Sequence, residues 1–385
     1  MSFRFRRRPK QASVIVIVLV TILFTALALT AFVEKASNDL LVETRAASAT
    51  RLRQDAYSAL EVTLAVLEDF RQADNGLHST NEGWGDPLNW AAWTPPDGET
   101  FDVSFVDESG KLSLSHADMT NLTNLFEYWN MAPSDAENLA DAILGWMKNG
   151  YNYTTALSPD YEQSAIPYDS PGRAMRSFSE LAAIDIVKTT FFDDSGRPND
   201  KWWRFVNDCS IYNFPKSNIN GANADVLAAV GQFTDAQQQK LSDYIAGVGS
   251  YAQNGSPQWF SSTSTAATVA GLGGASGSFA TTISALRVRI TVHEGSSLFR
   301  LEAVVAPQGG ATIVTTLATN PKAQTSSAAT TTSSVTSSST PSSTATSSQT
   351  AAAANTNIQY PFTLLEIREN DSILTPPPPP PPTQP

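Results

Sequence analysis

The chain has 385 residues, of which 41% are hydrophobic, and a net charge of −12. That length suggests about two or three domains, and the charge excludes attraction of the bulk of the chain to nucleic acid or anionic lipid. The single cysteine, Cys209, excludes an intramolecular disulfide framework and a cysteine-based zinc site, and reads as a buried core thiol.

Five cations, Arg4, Arg6, Arg7, Arg8 and Lys10, precede 21 uncharged residues from Ser13 to Val33. At ~1.5 Å per residue this run is about 31 Å long, the hydrocarbon thickness of a bilayer. With the cations on one flank and Glu34 on the other, the positive-inside rule keeps the N-terminus cytoplasmic and exports everything after Val33. A signal peptide cut near Ala26-Leu27-Ala28 is the alternative, but its apolar region would be shorter, roughly 7 to 15 residues. The helical pattern also outlasts the apolar run. No Gly occurs before Gly76 and no Pro between Pro9 and Pro87, while Leu40, Leu41, Ala47, Leu52, Ala56, Leu60, Leu64 and Leu67 recur at amphipathic spacing. One helix from Ser13 to about Arg71, about 90 Å long, is predicted.

Asp74 to Thr100 reads as a Gly- and Pro-rich loop pinned to the core by Trp84, Trp90 and Trp93. Phe101–Val106 and Lys111–Ser115 alternate as two strands of a hairpin, with Asp107-Glu108-Ser109-Gly110 as the turn. Between Met119 and Tyr251 helix signals dominate, with Ser134 before Glu137 as a capping box and Ser179 and Asp225 near other helix starts. Ser256–Gly277, rich in Ser, Thr, Ala and Gly, reads as a flexible loop. A second hairpin follows, in which Leu286, Val288, Ile290 and Val292 alternate with polar residues and Leu298–Val305 returns after a Glu-Gly-Ser-Ser turn. Asn320–Ala354 is a low-complexity Ser/Thr/Ala segment that cannot bury enough surface to fold. Tyr360–Glu369 alternates like a closing strand, and Pro376–Pro382 reads as a solvated polyproline tail.

The basic leader, the membrane-length segment at its border and the amphipathic continuation resemble type IV pilins and pseudopilins. The resemblance implies that a prepilin peptidase cuts between Ala12 and Ser13, although Ala stands where the family has Gly. The fifth mature position, where most members carry Glu, is Ile17, which resembles the K-type minor pseudopilin of type II secretion. Further matches fall in that family's order: Leu139–Met147 (LADAILGWM), Arg173–Leu181 (RAMRSFSEL) and Asn218–Leu227 (NINGANADVL).

The implied fold is α+β, a long transmembrane and amphipathic helix packed on a small antiparallel sheet, with a large inserted all-helical domain. The expected division is a leader at 1–12, a membrane helix at 13–33, pseudopilin helix and first strands at 34–118, and the helical domain at 119–255. A flexible loop and strands at 256–319, the disordered insertion at 320–354, the closing strand at 355–370 and the Pro-rich tail at 371–385 complete it.

Catalysis finds no motif. His78, His116 and His293 lack ligand-spaced neighbours, and there is no HExxH, GxSxG or P-loop. A helix-hairpin-helix reading of Asn218–Ile245 offers only Lys240 against Asp225, Asp235 and Asp243, so a packing unit is expected rather than a nucleic-acid grip. Asp193-Asp194-Ser195-Gly196 fails the EF-hand pattern because Arg197 takes a ligand slot. Asp160 and Glu162 fall where the resemblance implies an acidic calcium stretch, so calcium is the candidate ion, with a solvated turn as the alternative. Lys148, where the resemblance implies an acid, disfavours a cation.

The function implied is a non-enzymatic minor pseudopilin at the tip of a periplasmic pseudopilus, anchored once in the bacterial inner membrane. Its implied partners are the I- and J-type minor pseudopilins, the major pseudopilin, the prepilin peptidase and the inner-membrane secretion platform. The alternative is a single-span periplasmic binding protein in which the Ser/Thr segment is a spacer.

Overall fold

A computed structural model describes residues 11–157, 159, 161, 167–254, 258–272, 277–313 and 361–370. The leader up to residue 10, the Ser/Thr-rich insertion, the polyproline tail, and Asp160 and Glu162 lie outside the described residues.

The chain opens on helix α1 (Gln11–Asp74), 64 residues long and so about 96 Å. It stops where Asn75 turns left-handed at φ 56° and the Gly76 N–H donates back to the Arg71 carbonyl at 3.0 Å, a Schellman closure. A turn of 3₁₀ helix and α2 (Pro87–Trp90) follow, then β1 (Glu99–Asp107), β2 (Leu112–Ser113), α3 (Met119–Tyr128), α4 (Pro133–Met147), α5 (Asp185–Phe191) and α6 (Asp200–Asp208). Next come β3 (Cys209–Ser210), β4 (Ser217–Asn218), α7 (Ala224–Gly231), α8 (Asp235–Ala246), α9 (Thr263–Ala270) and β5 (Phe279–Ala280). The described chain closes with β6 (Leu286–Glu294), β7 (Ser297–Pro307) and β8 (Phe362–Glu369).

The main sheet has the order β1-β6-β7-β8, antiparallel throughout. Strand alternation puts Leu286, Val288, Ile290, Val292, Leu301, Ala303 and Val305 on one buried face. Leu52, Ala56, Ala59, Leu60, Leu64 and Leu67 of α1 pack on that face. Trp84 is fully buried there and stands edge-on to Phe105 at 5.0 Å. Trp93 meets Phe101 edge-on at 4.7 Å, whereas Trp90 is 62% exposed and only leans on Phe70. Burying the α1 face is the main local driving force, at ~25 cal/mol per Å² of apolar surface.

The helices form two further clusters. Leu122, Leu125 and Phe126 of α3, Ile143 and Leu144 of α4, Phe191 of α5 and Phe205 of α6 make the first, with Cys209 at its edge. Val226 and Leu227 of α7, Leu241 of α8, and Ala266 and Ala270 of α9 make the second, with Phe260 and Phe279.

Three expectations need correction. β1 does not form a hairpin with the next strand. It pairs with β6, Asp107 opposite Leu286, while β2 pairs in parallel with β3. The expected turn is instead a buried 3₁₀ helix, Glu108–Gly110, capped by Asp107. Ser134 caps nothing, because α4 starts at Pro133, whose missing N–H suits the first helical position. Ser179 does stand near a helix start, in the first turn of the 3₁₀ helix Phe178–Ala183, which Ser177 caps. The stretch read as a flexible loop contains α9, which forms because Ser262 caps it and Ala266, Ala267 and Ala270 are small enough to pack.

Candidate assembly surface

From Val14 to Val33 every residue of α1 is exposed, Ile17 by 60%, and the apolar character is continuous around the helix. Such a helix is stable only in lipid or among other helices. Its few polar groups are satisfied internally: the hydroxyls of Thr21, Thr25 and Thr30 donate to the carbonyls of Val18, Ile22 and Ala26, as a hydrocarbon environment requires. The bare stretch continues past the membrane-length segment, where Leu40, Leu41 and Val42 are 62%, 52% and 68% exposed among charged residues. Ala12 and Ser13 lie at the start of this helix.

Where α1 meets the sheet, charges fix it to three strands. Arg51 Nε donates to Glu99 Oε1 of β1 at 3.1 Å, and its Nη2 pairs with Glu294 of β6. Arg53 and the Tyr57 hydroxyl both donate to Glu369 of β8, at 2.8 and 2.7 Å. These two donors hold the Glu369 carboxyl below its ordinary range, the Tyr57 bond contributing most. Burial, followed by the neighbouring Asp55, raises Glu99.

The far face of the sheet carries a buried ion network that joins it to the helical domain. Arg287 of β6 donates to Glu108 Oε1 at 2.6 Å and pairs with Glu302 of β7. Arg289 donates to Glu302 Oε2 at 2.7 Å, and Lys111 reaches Glu108 at 3.1 Å and the Val206 carbonyl of α6 at 3.2 Å. Burial alone would push Glu108 up, but Lys111 and Arg287 bring it net below its ordinary value. This network was missed from sequence, although Arg287 and Arg289 alternating with core residues carried its signal.

A second centre missed from sequence is Asp141, fully buried in α4. Its carboxylate accepts from the backbone N–H groups of Thr154 and Thr155, both hydroxyls of those residues, and the Tyr151 hydroxyl. It thereby anchors the chain segment 151–155 through five side-chain and backbone donors. Lys148 points its ammonium at the Tyr151 ring, 5.9 Å from the centroid. A cation here would face Lys148 and a carboxylate whose lone pairs are already used, so calcium does not fit the described part of this loop. Among the described residues no three acid, His or Cys side chains converge as metal ligands.

The remaining candidates are packing residues. His78 is buried, and its ring and backbone N–H both meet Glu82. The α7–α8 hairpin is tied to α6 by the Arg204 fork on Asp225, with both bonds at 2.7 Å. Cys209 is buried, and burial pushes its thiol well above the ordinary value.

A long helix that continues into a small antiparallel sheet, with its first half bare, defines a pilin-like fold, and the apolar half is long enough to fit a single-pass membrane anchor. Residues 101–194 match the family model of type II secretion system (T2SS), protein K, which bears out the K-type minor pseudopilin reading. That family serves secretion and is not a family of enzymes. Among solved structures, a chain of the GspK-GspI-GspJ complex from the enterotoxigenic Escherichia coli Type 2 Secretion System is similar, with a TM-score of 0.47 and 11% identity. The similarity covers 68% of this chain and 94% of that one. No curated relative matches the sequence.

Proposed function

We propose that the protein sits at the tip of a periplasmic pseudopilus, where it helps to start filament assembly and the export of folded proteins. The observation that carries this reading is the contrast along α1: Val14–Val33 and Leu40–Val42 are bare, while the globular part carries two helical clusters between adjacent strands β1 and β6. Bare apolar helix favours lateral packing with other helices. A bulky insertion beside the sheet obstructs a further subunit stacked above.

In this reading Ala12–Ser13 is the processing site, the N-terminus is cytoplasmic and the sheet and helices are periplasmic. The I- and J-type minor pseudopilins pack along Leu40–Val42, and the major pseudopilin and inner-membrane platform extend the filament from below. Ile17 fits because a tip subunit has no amine above it to neutralise. Asp160 and Glu162 keep the role of a candidate calcium site.

Val42→Cys supplies the test, since the buried Cys209 thiol stays silent. The prediction is disulfide crosslinks to partner pseudopilins carrying matching cysteines and none between copies of this chain, together with a mature N-terminus at Ser13. A ladder of self-crosslinked species, or an intact Met1, overturns it.

A further inference from the structure

Asp208 ends α6 and is fully buried. Its Oδ1 accepts from the side-chain amides of Asn223 at 2.6 Å and Asn207 at 3.3 Å. Its Oδ2 is buried too, receives no donor among the described residues, and the side chain faces the Asp225 carboxylate in the first turn of α7.

The surrounding charges are already committed. Arg204 of α6 forks both oxygens of Asp225, and Lys111 is held by Glu108 and the Val206 carbonyl. From α3, the Tyr128 hydroxyl donates to Asp235 and Gln238, and the Trp129 ring lies under the Arg204 guanidinium at 5.1 Å. The adjacent Cys209 thiol is neutral. Two carboxylates facing each other in such a site cannot both be ionised without large cost, and the nearest cation, Arg204, gives both its hydrogen bonds to Asp225 and reaches Asp208 only through space.

We propose that Asp208 and Asp225 share a single proton, carried on Asp208, and that this acid pair is a pH-sensitive latch between α6 and α7, joining the two hydrophobic clusters of the helical domain. The Asp208 proton occupies the otherwise unpartnered oxygen and turns a repulsive contact into an O–H···O hydrogen bond to Asp225. Loss of the proton places a second negative charge in the seam and drives the two helices apart.

The electrostatics agree. Burial, then the neighbouring Asp225, pushes Asp208 up to about 8, while Asp225, which burial would raise, is brought low chiefly by the Arg204 hydrogen bond. The folded chain therefore keeps a proton that the unfolded chain releases near pH 4. Stability from this pair is complete below that value and is lost as pH rises towards about 8, by up to about tenfold in the folding equilibrium per pH unit.

The test is thermal and denaturant unfolding of the full-length chain in detergent between pH 6.5 and 8.5, a window above the range of Asp107, which burial raises to about 6. Wild type should lose stability across the window. Asp208→Asn, whose amide donates to Asp225 at every pH, should show a clearly flatter profile. Infrared spectroscopy of the wild type should show a protonated-carboxyl C=O band at pH 7.5 that bleaches near pH 8 and is missing from the variant. Parallel stability profiles overturn the proposal. So does the absence of that band from wild type, which decides the matter even if the variant fails to fold.

Discussion

Replacing Arg287 by Met removes a buried guanidinium while nearly preserving volume, and leaves Glu108 and Glu302 under the sheet without their shared partner. The side chains of Arg287, Glu108 and Glu302 are only 8%, 3% and 13% exposed, so solvent cannot replace the lost contacts. Breaking a buried pair by removing one partner costs about 3–5 kcal/mol. Lys111 still compensates Glu108 and Arg289 still compensates Glu302, which points to the lower end, about 3 kcal/mol. With a urea m-value of about 3 kcal/mol per molar, the midpoint should fall by about 1 M. A fragment starting near Glu34 suits the assay, because the helix preceding Leu52 contributes no buried core. Adding Glu108→Gln to Arg287→Met should recover part of the loss. The wild-type stability supplied by Glu108 should persist above the unfolded carboxylate range and vanish as pH falls through its lowered folded value. A midpoint shift below about 0.3 M, or a double variant that loses the sum of the two single losses, would refute the view that this junction depends on paired buried charge.

Asp141→Asn should cost about 2 kcal/mol and speed hydrogen exchange at the Thr154 and Thr155 amides, and unchanged exchange would contradict the anchoring role. A Cβ on Gly110 would lie 2.4 Å from the Gly221 carbonyl oxygen, whereas one on Gly277 meets nothing. Gly110→Ala should accordingly lower the melting temperature strongly, by an overpacking cost of about 3 kcal/mol, and Gly277→Ala hardly at all. Excising residues 320–354 with a short Gly/Ser join should change stability by only about 1 kcal/mol. Ending the chain at Ile313 removes β8, opens the outer edge of β7 and should produce aggregation by light scattering. Equal behaviour of the two truncations would mean that β8 adds nothing to the sheet.

How far each element was legible depends on how local its cause is. The membrane-length helix and the β6–β7 pair follow from period and charge within a short window, so Ser13–Val33 and Leu286–Val292 announced themselves. The partner of β1 did not, because Phe101, Val103 and Phe105 alternate equally well for a nearby hairpin or for β6. What decided it was the burial of Glu108–Gly110 against Gly221 and Arg287, which only the assembled fold supplies. Asp141 was hidden for a similar reason: it reads as one acid in an apolar helix, and its donors arrive on a later segment. Asp160 and Glu162 were named through family resemblance alone, and the described loop beside them is organised by Asp141.

The pairing of Asp107 with Leu286 brings the two ends of residues 108–285 to neighbouring positions of one ladder, about 5 Å apart. The helical region is thus a cassette seated in a socket one strand-pair wide. A two-residue turn could bridge that gap, and the excised chain would retain α1 and an uninterrupted meander. The same geometry sets an order of events during synthesis. The sheet must wait for the whole cassette to emerge before β1 finds its partner, which is a slow, non-local step. The cassette's local helix contacts can form earlier and carry the two strand ends together.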